Sequence, residues 1–338
     1  PVSVTVDPSG KFAYVANQNI GLITPGNVSA YTIDPGTGAL TPVTGSPFAA
    51  GVRPRSVTVD PSGKFAYVAN YESGDVSAYT IDATTGALTS VGAAVAAASG
   101  SRFVTVEPSG KFAYVANQRA GNVSTYTIAA NGVLTPVGGP VGAGTTPSSV
   151  NVDPLGKFAY VANYDSNNVS AYTINAATGV LTALPTVAGR NGSVAMAMTR
   201  GAAVVYTPKF AYVANAGGNV SVYTIGATSG ALTGVSTATA GTNPASVSVD
   251  PSGKFAYVAN SGGGDVSVYT INATNGALTS VGAAVGAGTL PVSVTVDPSG
   301  KFAYVANRTS GNVSVYTIDA TTGALTGAGT APAGTNPV

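Results

Sequence analysis

Seven copies of one tetrapeptide, Tyr-Val-Ala-Asn, constrain this chain more than any other feature. They begin at Tyr14, Tyr67, Tyr114, Tyr160, Tyr212, Tyr257 and Tyr304, at intervals of 53, 47, 46, 52, 45 and 47 residues. Spacing of this size marks a repeat architecture, in which each unit buries its apolar surface only against its neighbours. A whole unit, read from Ser56, runs Ser-Val-Thr-Val-Asp-Pro-Ser-Gly-Lys-Phe-Ala-Tyr-Val-Ala-Asn. A variable loop follows, then Asp-Val-Ser-Ala-Tyr-Thr-Ile-Asp from Asp75, a turn, and Gly-Ala-Leu-Thr from Gly86. Between turns the apolar residues alternate with period two and are rich in Val, Tyr, Thr and Ile, the pattern of half-buried antiparallel strands.

The unit divides into four strands: A over Ser56 to Val59, B over Phe65 to Ala69, C over Val76 to Ile81, and D from about Leu88. In the A–B connection, Asp60-Pro61-Ser62-Gly63-Lys64, Pro supplies φ near −65°, Gly permits positive φ, and the Asp carboxylate accepts turn N–H groups. Four hairpin-linked strands make one propeller blade, and seven blades close into a ring without exposed strand edges. The expectation is an all-β, seven-bladed β-propeller with four antiparallel strands per blade, each blade from continuous sequence. It occupies 1–338 as one domain, with blades at approximately 1–48, 49–97, 98–143, 144–189, 190–240, 241–288 and 289–338. The closing Gly334-Thr335-Asn336-Pro337 matches the inter-blade segment Gly241-Thr242-Asn243-Pro244, so the two ends are expected to meet. Two blades depart from the repeat: Gln18 to Gly26 lengthens a loop in blade 1, and Gly192 to Lys209 replaces strand A and its turn in blade 5.

Composition excludes several chemistries. Of 338 residues only 8% are charged, the net charge is +1, and there is no Cys, His or Trp. No field strong enough for nucleic acid follows from that balance. Absent Cys removes disulfides and thiolate chemistry, and absent His removes the commonest acid–base group and any Ser/His/Asp triad. No apolar run approaches the roughly 20 residues of a spanning helix. Pro1 opens directly into strand-like sequence rather than a signal peptide, as a processed or trimmed chain would. No cofactor and no metal are expected: the run Asp165 to Asn168 lacks a second acidic ligand nearby.

Pro-Ser-Gly-Lys-Phe-Ala-Tyr-Val-Ala-Asn, followed by Asn-Val-Ser-Val-Tyr-Thr-Ile and Thr-Gly-Ala-Leu, resembles the lactonase-type propellers and the related YVTN-repeat proteins, the group similar to 6-phosphogluconolactonases and carboxymuconate cyclases. The resemblance covers essentially the whole chain. It implies the seven-bladed fold and two function classes: lactone chemistry at the channel mouth, or non-catalytic binding at a cell surface or in the periplasm. In the lactone-processing branch it implies His, Arg and Glu side chains around the channel.

Strand direction sorts the charges by face. All seven Lys fall at A–B turns, or just before strand B in blade 5, on the face that repeats. On the opposite face Arg53, Arg55, Arg102 and Arg190 precede or open strand A, Arg119 and Arg308 occupy B–C loops, and Glu72 and Tyr71 lie beside them; Arg200 falls in the irregular part of blade 5. Loops before strand A lie nearest the axis, so Arg53, Arg55, Arg102 and Arg190 are expected to converge on the channel mouth and bind an anion through paired N–H donors. Glu72 is the acid–base candidate if the protein is an enzyme, and a raised pKa there would mark that role. Asn-Val-Ser, recurring from Asn27, Asn122, Asn168, Asn219 and Asn312, fits a glycosylation acceptor but opens strand C, where recurrence points to structure.

Low charge, near-identical blades and absent His favour a non-catalytic binding or structural module, secreted, periplasmic or at the cell surface. Its partner would be a protein, a glycan or a small anion on the Arg-bearing face. The alternative is a lactone hydrolase or cyclase with an Arg-lined mouth.

Overall fold

The computed structural model describes residues 1–19, 24–199 and 209–334, and every regular element among them is a β-strand. Residues 20–23, 200–208 and 335–338, among them Arg200 and parts of the two irregular stretches, lie outside the described residues. In blade 2, strand A is Pro54–Val59, B is Phe65–Asn70 and C is Asp75–Ile81. Strand D is broken into Leu88–Ser90 and Val95–Ala96, both paired with strand C. The same order recurs in seven sheets of consecutive antiparallel strands, with D unbroken only in blades 5 and 7, as Leu232–Thr239 and Leu325–Pro332. Blade 5 corrects one expectation. Its strand A is present as Ser193–Met198 and pairs with Phe210–Asn215 in the usual register, although its sequence lacks the Thr-Val-Asp-Pro signature.

The A–B turns are set by one carboxylate. Asp60 Oδ1 accepts from the N–H groups of Lys64 (2.9 Å) and Phe65 (2.8 Å), and Oδ2 from Ser62 N–H (3.1 Å). Such local bonds consume the turn donors that strand pairing leaves over. Glu107 does this in blade 3, and in blade 5 Thr199 Oγ1 accepts from Phe210 N–H at 3.3 Å.

Blades lock through the repeated aromatic residues. The Tyr of each Tyr-Val-Ala-Asn is fully buried and donates its hydroxyl to the C–D turn Gly carbonyl of the next blade. Tyr14 reaches Gly86, Tyr67 reaches Gly132, and so on to Tyr304, which reaches Gly38, at 2.7 to 3.1 Å. The strand C Tyr points the other way: Tyr126 donates to Ala96 O of the preceding blade at 2.9 Å, and Tyr31 donates to Pro332 O across the junction of blades 7 and 1. Each strand B Phe covers the turn Gly of the following blade. A Cβ on Gly86 would sit 2.4 Å from the Phe12 ring, and its φ of +76° already belongs to glycine. Strands A of successive blades touch in a closed circle, blade 7 against blade 1, and enclose the central channel.

The Asn of the motif fastens the opposite end. Asn70 Nδ2 donates to Asp75 Oδ1 (2.7 Å) and Ser77 Oγ (2.9 Å), and Oδ1 accepts from Gly51 N–H (3.2 Å). In five blades Asn takes the place of Asp75, as Asn122 does beneath Asn117 at 2.9 Å. Asn-Val-Ser recurs because its Asn and Ser oxygens both accept from the motif Asn, a part that Asp fills equally in blades 2 and 6.

Candidate functional site

In blades 2 to 7 the residue before strand A adopts a left-handed backbone: φ is 55° at Arg53 and 58° at Leu290, with Gly100 and Gly192 serving in blades 3 and 5. Its carbonyl is thereby turned to accept from the residue that follows Tyr-Val-Ala-Asn. Tyr71 N–H bonds to Arg53 O, Gln118 N–H to Gly100 O, and Arg308 N–H to Leu290 O, at 2.8 to 2.9 Å. This tie holds the first residue of the B–C loop beside the start of strand A in blades 2 to 7.

Arg55 and Arg102 are the second residues of strand A in adjacent blades, and at the equivalent place the other five blades carry Val2, Ser148, Val194, Ala245 and Val292. Arg308 is the tied loop residue of blade 7. All three line a cavity of about 200 Å³ at this end of the channel, with Phe103, Ser148, Ser149 and Ser246 among the remaining wall. Arg102 Nε donates to Ser148 O (3.3 Å) and Nη1 to Gln118 Oε1 (3.1 Å); among the described residues it pairs with no carboxylate. Burial lowers the Arg55 pKa to about 10, helped by the charges of Arg102, Arg308 and Arg53. Burial also lowers that of Arg102, with Arg308 adding to it. Among the described residues the mouth is therefore a cationic pocket without a paired carboxylate, and an anion placed there relieves the repulsion.

Glu72 collects the neighbouring charge. Arg119 grips it with two bonds, Nη1 to Oε1 at 3.0 Å and Nη2 to Oε2 at 2.9 Å, and Arg53 Nη1 reaches Oε2 at 3.4 Å. Gln18, in the amide orientation that satisfies both its atoms, accepts from Arg53 Nε at 3.0 Å and Nη2 at 3.1 Å. The Tyr71 ring has three guanidinium carbons over it: Arg119 at 4.6 Å, Arg55 at 5.2 Å and Arg53 at 5.6 Å from its centre. Every ion pair and every cation–π contact among the described residues thus falls on two consecutive residues of blade 2.

The expected cluster therefore divides. Arg55 and Arg102 reach the mouth as read from the sequence, while Arg53 and Arg119 are held outward by Glu72. Arg190 does not join them: it is exposed, three residues ahead of strand A, and its charge acts on Tyr223 instead. Glu72 does not have the raised pKa of a general acid. The Arg119 hydrogen bond holds its carboxyl below the usual range. Arg308 was missed as a mouth residue, and the signal was its place directly after Tyr-Val-Ala-Asn. Asp165 accepts a hydrogen bond from the Thr146 hydroxyl, and no group of three or more metal-ligating acidic side chains occurs among the described residues. No helix among them is long and apolar enough to cross a membrane.

Comparison with known proteins covers nearly the whole chain. The family model described as lactonase, 7-bladed beta-propeller, matches residues 2–105, 103–198 and 199–338. Among solved structures, a periplasmic gluconolactonase of Pseudomonas aeruginosa superposes with a TM-score of 0.81 at 18% identity, over 96% of both chains. A protein of Bacteroides uniformis, assigned as a 6-phosphogluconolactonase, gives 0.81 at 21% identity over 94% of both chains. A Lactobacillus plantarum protein gives 0.82 at 19% over 96% of both. At these identities the likeness carries the fold. No curated protein matches.

Proposed function

The chain belongs to the lactonase family of seven-bladed β-propellers, and from that premise we propose that it hydrolyses lactones carrying an anionic group at the Arg-lined mouth. Membership overturns the expectation of a non-catalytic binding or structural module. That expectation leaned on absent His, but losing one residue type removes one route for a proton and leaves the reaction open.

Lactone hydrolysis adds water to the ester carbonyl, passes through a tetrahedral oxyanion, and breaks the ring C–O bond to give a hydroxy acid. Negative charge develops on the carbonyl oxygen and remains on the product carboxylate. Arg55, Arg102 and Arg308, converging without a carboxylate among them, are the observation that carries the proposal. Fixed donors aimed where charge develops are the largest single contribution in such reactions. One or two of these guanidiniums would bind the substrate's own carboxylate or phosphate and another would polarise the carbonyl. Ionised Glu72 accepts rather than donates protons, and its role in this reading is to hold Arg53 and Arg119 beside Tyr71. The small anionic ligand foreseen for this face becomes the substrate. We place its action in the periplasm or outside the cell, a placement supported by likeness to a periplasmic gluconolactonase.

The test is an assay over sugar and aromatic lactones with and without a carboxylate or phosphate. Anionic lactones should turn over faster than neutral ones, and Arg102→Ala and Arg55→Ala should each lower kcat/KM by roughly 10²–10³. Absence of turnover on every anionic lactone, or unchanged turnover in both variants, would sink the proposal.

A further inference from the structure

The other end of the channel holds a larger cavity, of about 680 Å³, that the lactone reaction does not use. Its construction follows from the inner edge of strand A. Asp60 N–H bonds to Phe65 O and Asp7 N–H to Phe12 O, so alternate residues of strand A turn their N–H and C=O away from strand B, toward the axis. Near the Arg mouth some of these groups are capped by the preceding blade. Val57 N–H donates to Ser3 Oγ, Val104 to Ser56, Val294 to Ser246 and Val4 to Ser293, at 3.2 to 3.5 Å. Two residues further along, Val6, Val59, Val106, Val249 and Val296 face the axis in the same way, and they line the larger cavity. No side-chain hydroxyl caps them among the described residues.

Side chains add more unpartnered polar groups. Thr58, Thr105, Ser248 and Thr295 line the cavity, and their hydroxyls make no hydrogen bond to the described protein. Asn151 stands in the wall at the position those residues hold in the other blades, and its Nδ2 is buried without a partner. Charge is missing. The one carboxylate in the lining, Asp250, already accepts from Ser252 N–H (2.9 Å), the Ser252 hydroxyl and Phe255 N–H (2.7 Å). Around the rim, prolines such as Pro61, Pro108 and Pro298 present apolar ring surface.

We propose that this cavity is a second binding site, for an uncharged sugar or polyol. A ligand with donors and acceptors spaced around a compact carbon frame can satisfy main-chain N–H and C=O groups, hydroxyls and an amide together, which an anion cannot. The volume falls within the 300–1,000 Å³ range common for small-molecule sites. The site is independent of the Arg mouth and of any hydrolysis there.

Titrating the folded protein with D-glucose and with D-glucitol, read by saturation-transfer NMR and calorimetry, tests this. Binding should be saturable, unchanged by Arg102→Ala and by roughly 0.5 M salt, which screens ionic contacts. The Thr58→Val/Thr295→Val double variant keeps side-chain shape and should weaken binding about tenfold. Asn151→Phe, which fills the cavity, should abolish it. No saturable binding of either probe would overturn the proposal. So would binding that survives Asn151→Phe or disappears in Arg102→Ala.

Discussion

At the seam between blades 1 and 2, Phe12, Tyr14 and Gly86 make contacts that recur at every other seam. At the Arg mouth, Arg55, Arg102 and Arg308 stand where the other blades carry Val, Ser, Ala, Gln or Tyr. The seam buries neutral groups with every tyrosine hydroxyl satisfied; the mouth gathers like charges with no carboxylate paired to them among the described residues. One region is therefore built for stability and the other tolerates an unfavourable arrangement, as binding sites do.

The largest difference should appear at high pH. Fourteen buried Tyr phenols, seven in strands B and seven in strands C, have pKa values raised chiefly by burial. In the unfolded chain they ionise near 10, so the stability they give is complete below that pH. It is lost as pH rises toward the folded values, because the unfolded state releases its protons first. Each phenol forfeits about 1.4 kcal/mol per pH unit in that window. Summed over fourteen sites, that loss is on the order of the whole stability of an ordinary domain. Circular dichroism against pH should show cooperative unfolding between about pH 10 and 12, accompanied by tyrosinate absorbance. Gradual ionisation of a folded protein would mean the seams admit water.

Single seam changes come next. Tyr160→Ala removes a fully buried ring and its 2.7 Å bond to Gly230 O, and should lower stability by about 3 kcal/mol or more. Gly86→Ala meets both the Phe12 ring and an unsuitable φ, and should lower it by about 2 kcal/mol. Denaturant midpoints measure both, and either change tolerated without loss would break the assignment of the seam as the source of stability.

Arg102 should behave in the opposite sense. Its charge is desolvated and faces Arg308, so Arg102→Met should raise unliganded stability by about 1 kcal/mol while abolishing the response of the thermal midpoint to added anions. A destabilised variant would mean that the bonds to Ser148 O and Gln118 Oε1 outweigh the repulsion.

These contrasts explain what the sequence disclosed. The blade and its strands were legible because period-two patterning and the Asp-Pro-Ser-Gly-Lys turn are local and occur many times. Strand A of blade 5 was not, because Ser-Val-Ala-Met-Ala-Met carries neither signal, and it is held in register by Phe210–Asn215. Strand direction placed Arg55 and Arg102 on the correct face. It gave no means of separating Arg53, whose left-handed backbone and Glu72 contact turn it outward, from Arg55 two residues later. Arg308 depends on a main-chain bond to Leu290 that bridges 18 positions, a distance that composition and period do not encode.

The smallest effect tests how far the two halves of the Arg cluster act separately. Glu72 neutralises Arg119 and Arg53 at the edge of the mouth, and it does not appear among the charges that perturb Arg55 or Arg102. Glu72→Gln removes one negative charge near an anion-binding pocket, so anion affinity should rise about two- to threefold at low ionic strength. The gain should vanish near 1 M salt, where the Debye length falls to about 3 Å. Affinity that instead falls, and does so at every salt concentration, would show that Arg53 or Arg119 touches the anion itself when Glu72 holds it. The mouth would then comprise the whole cluster rather than Arg55, Arg102 and Arg308 alone.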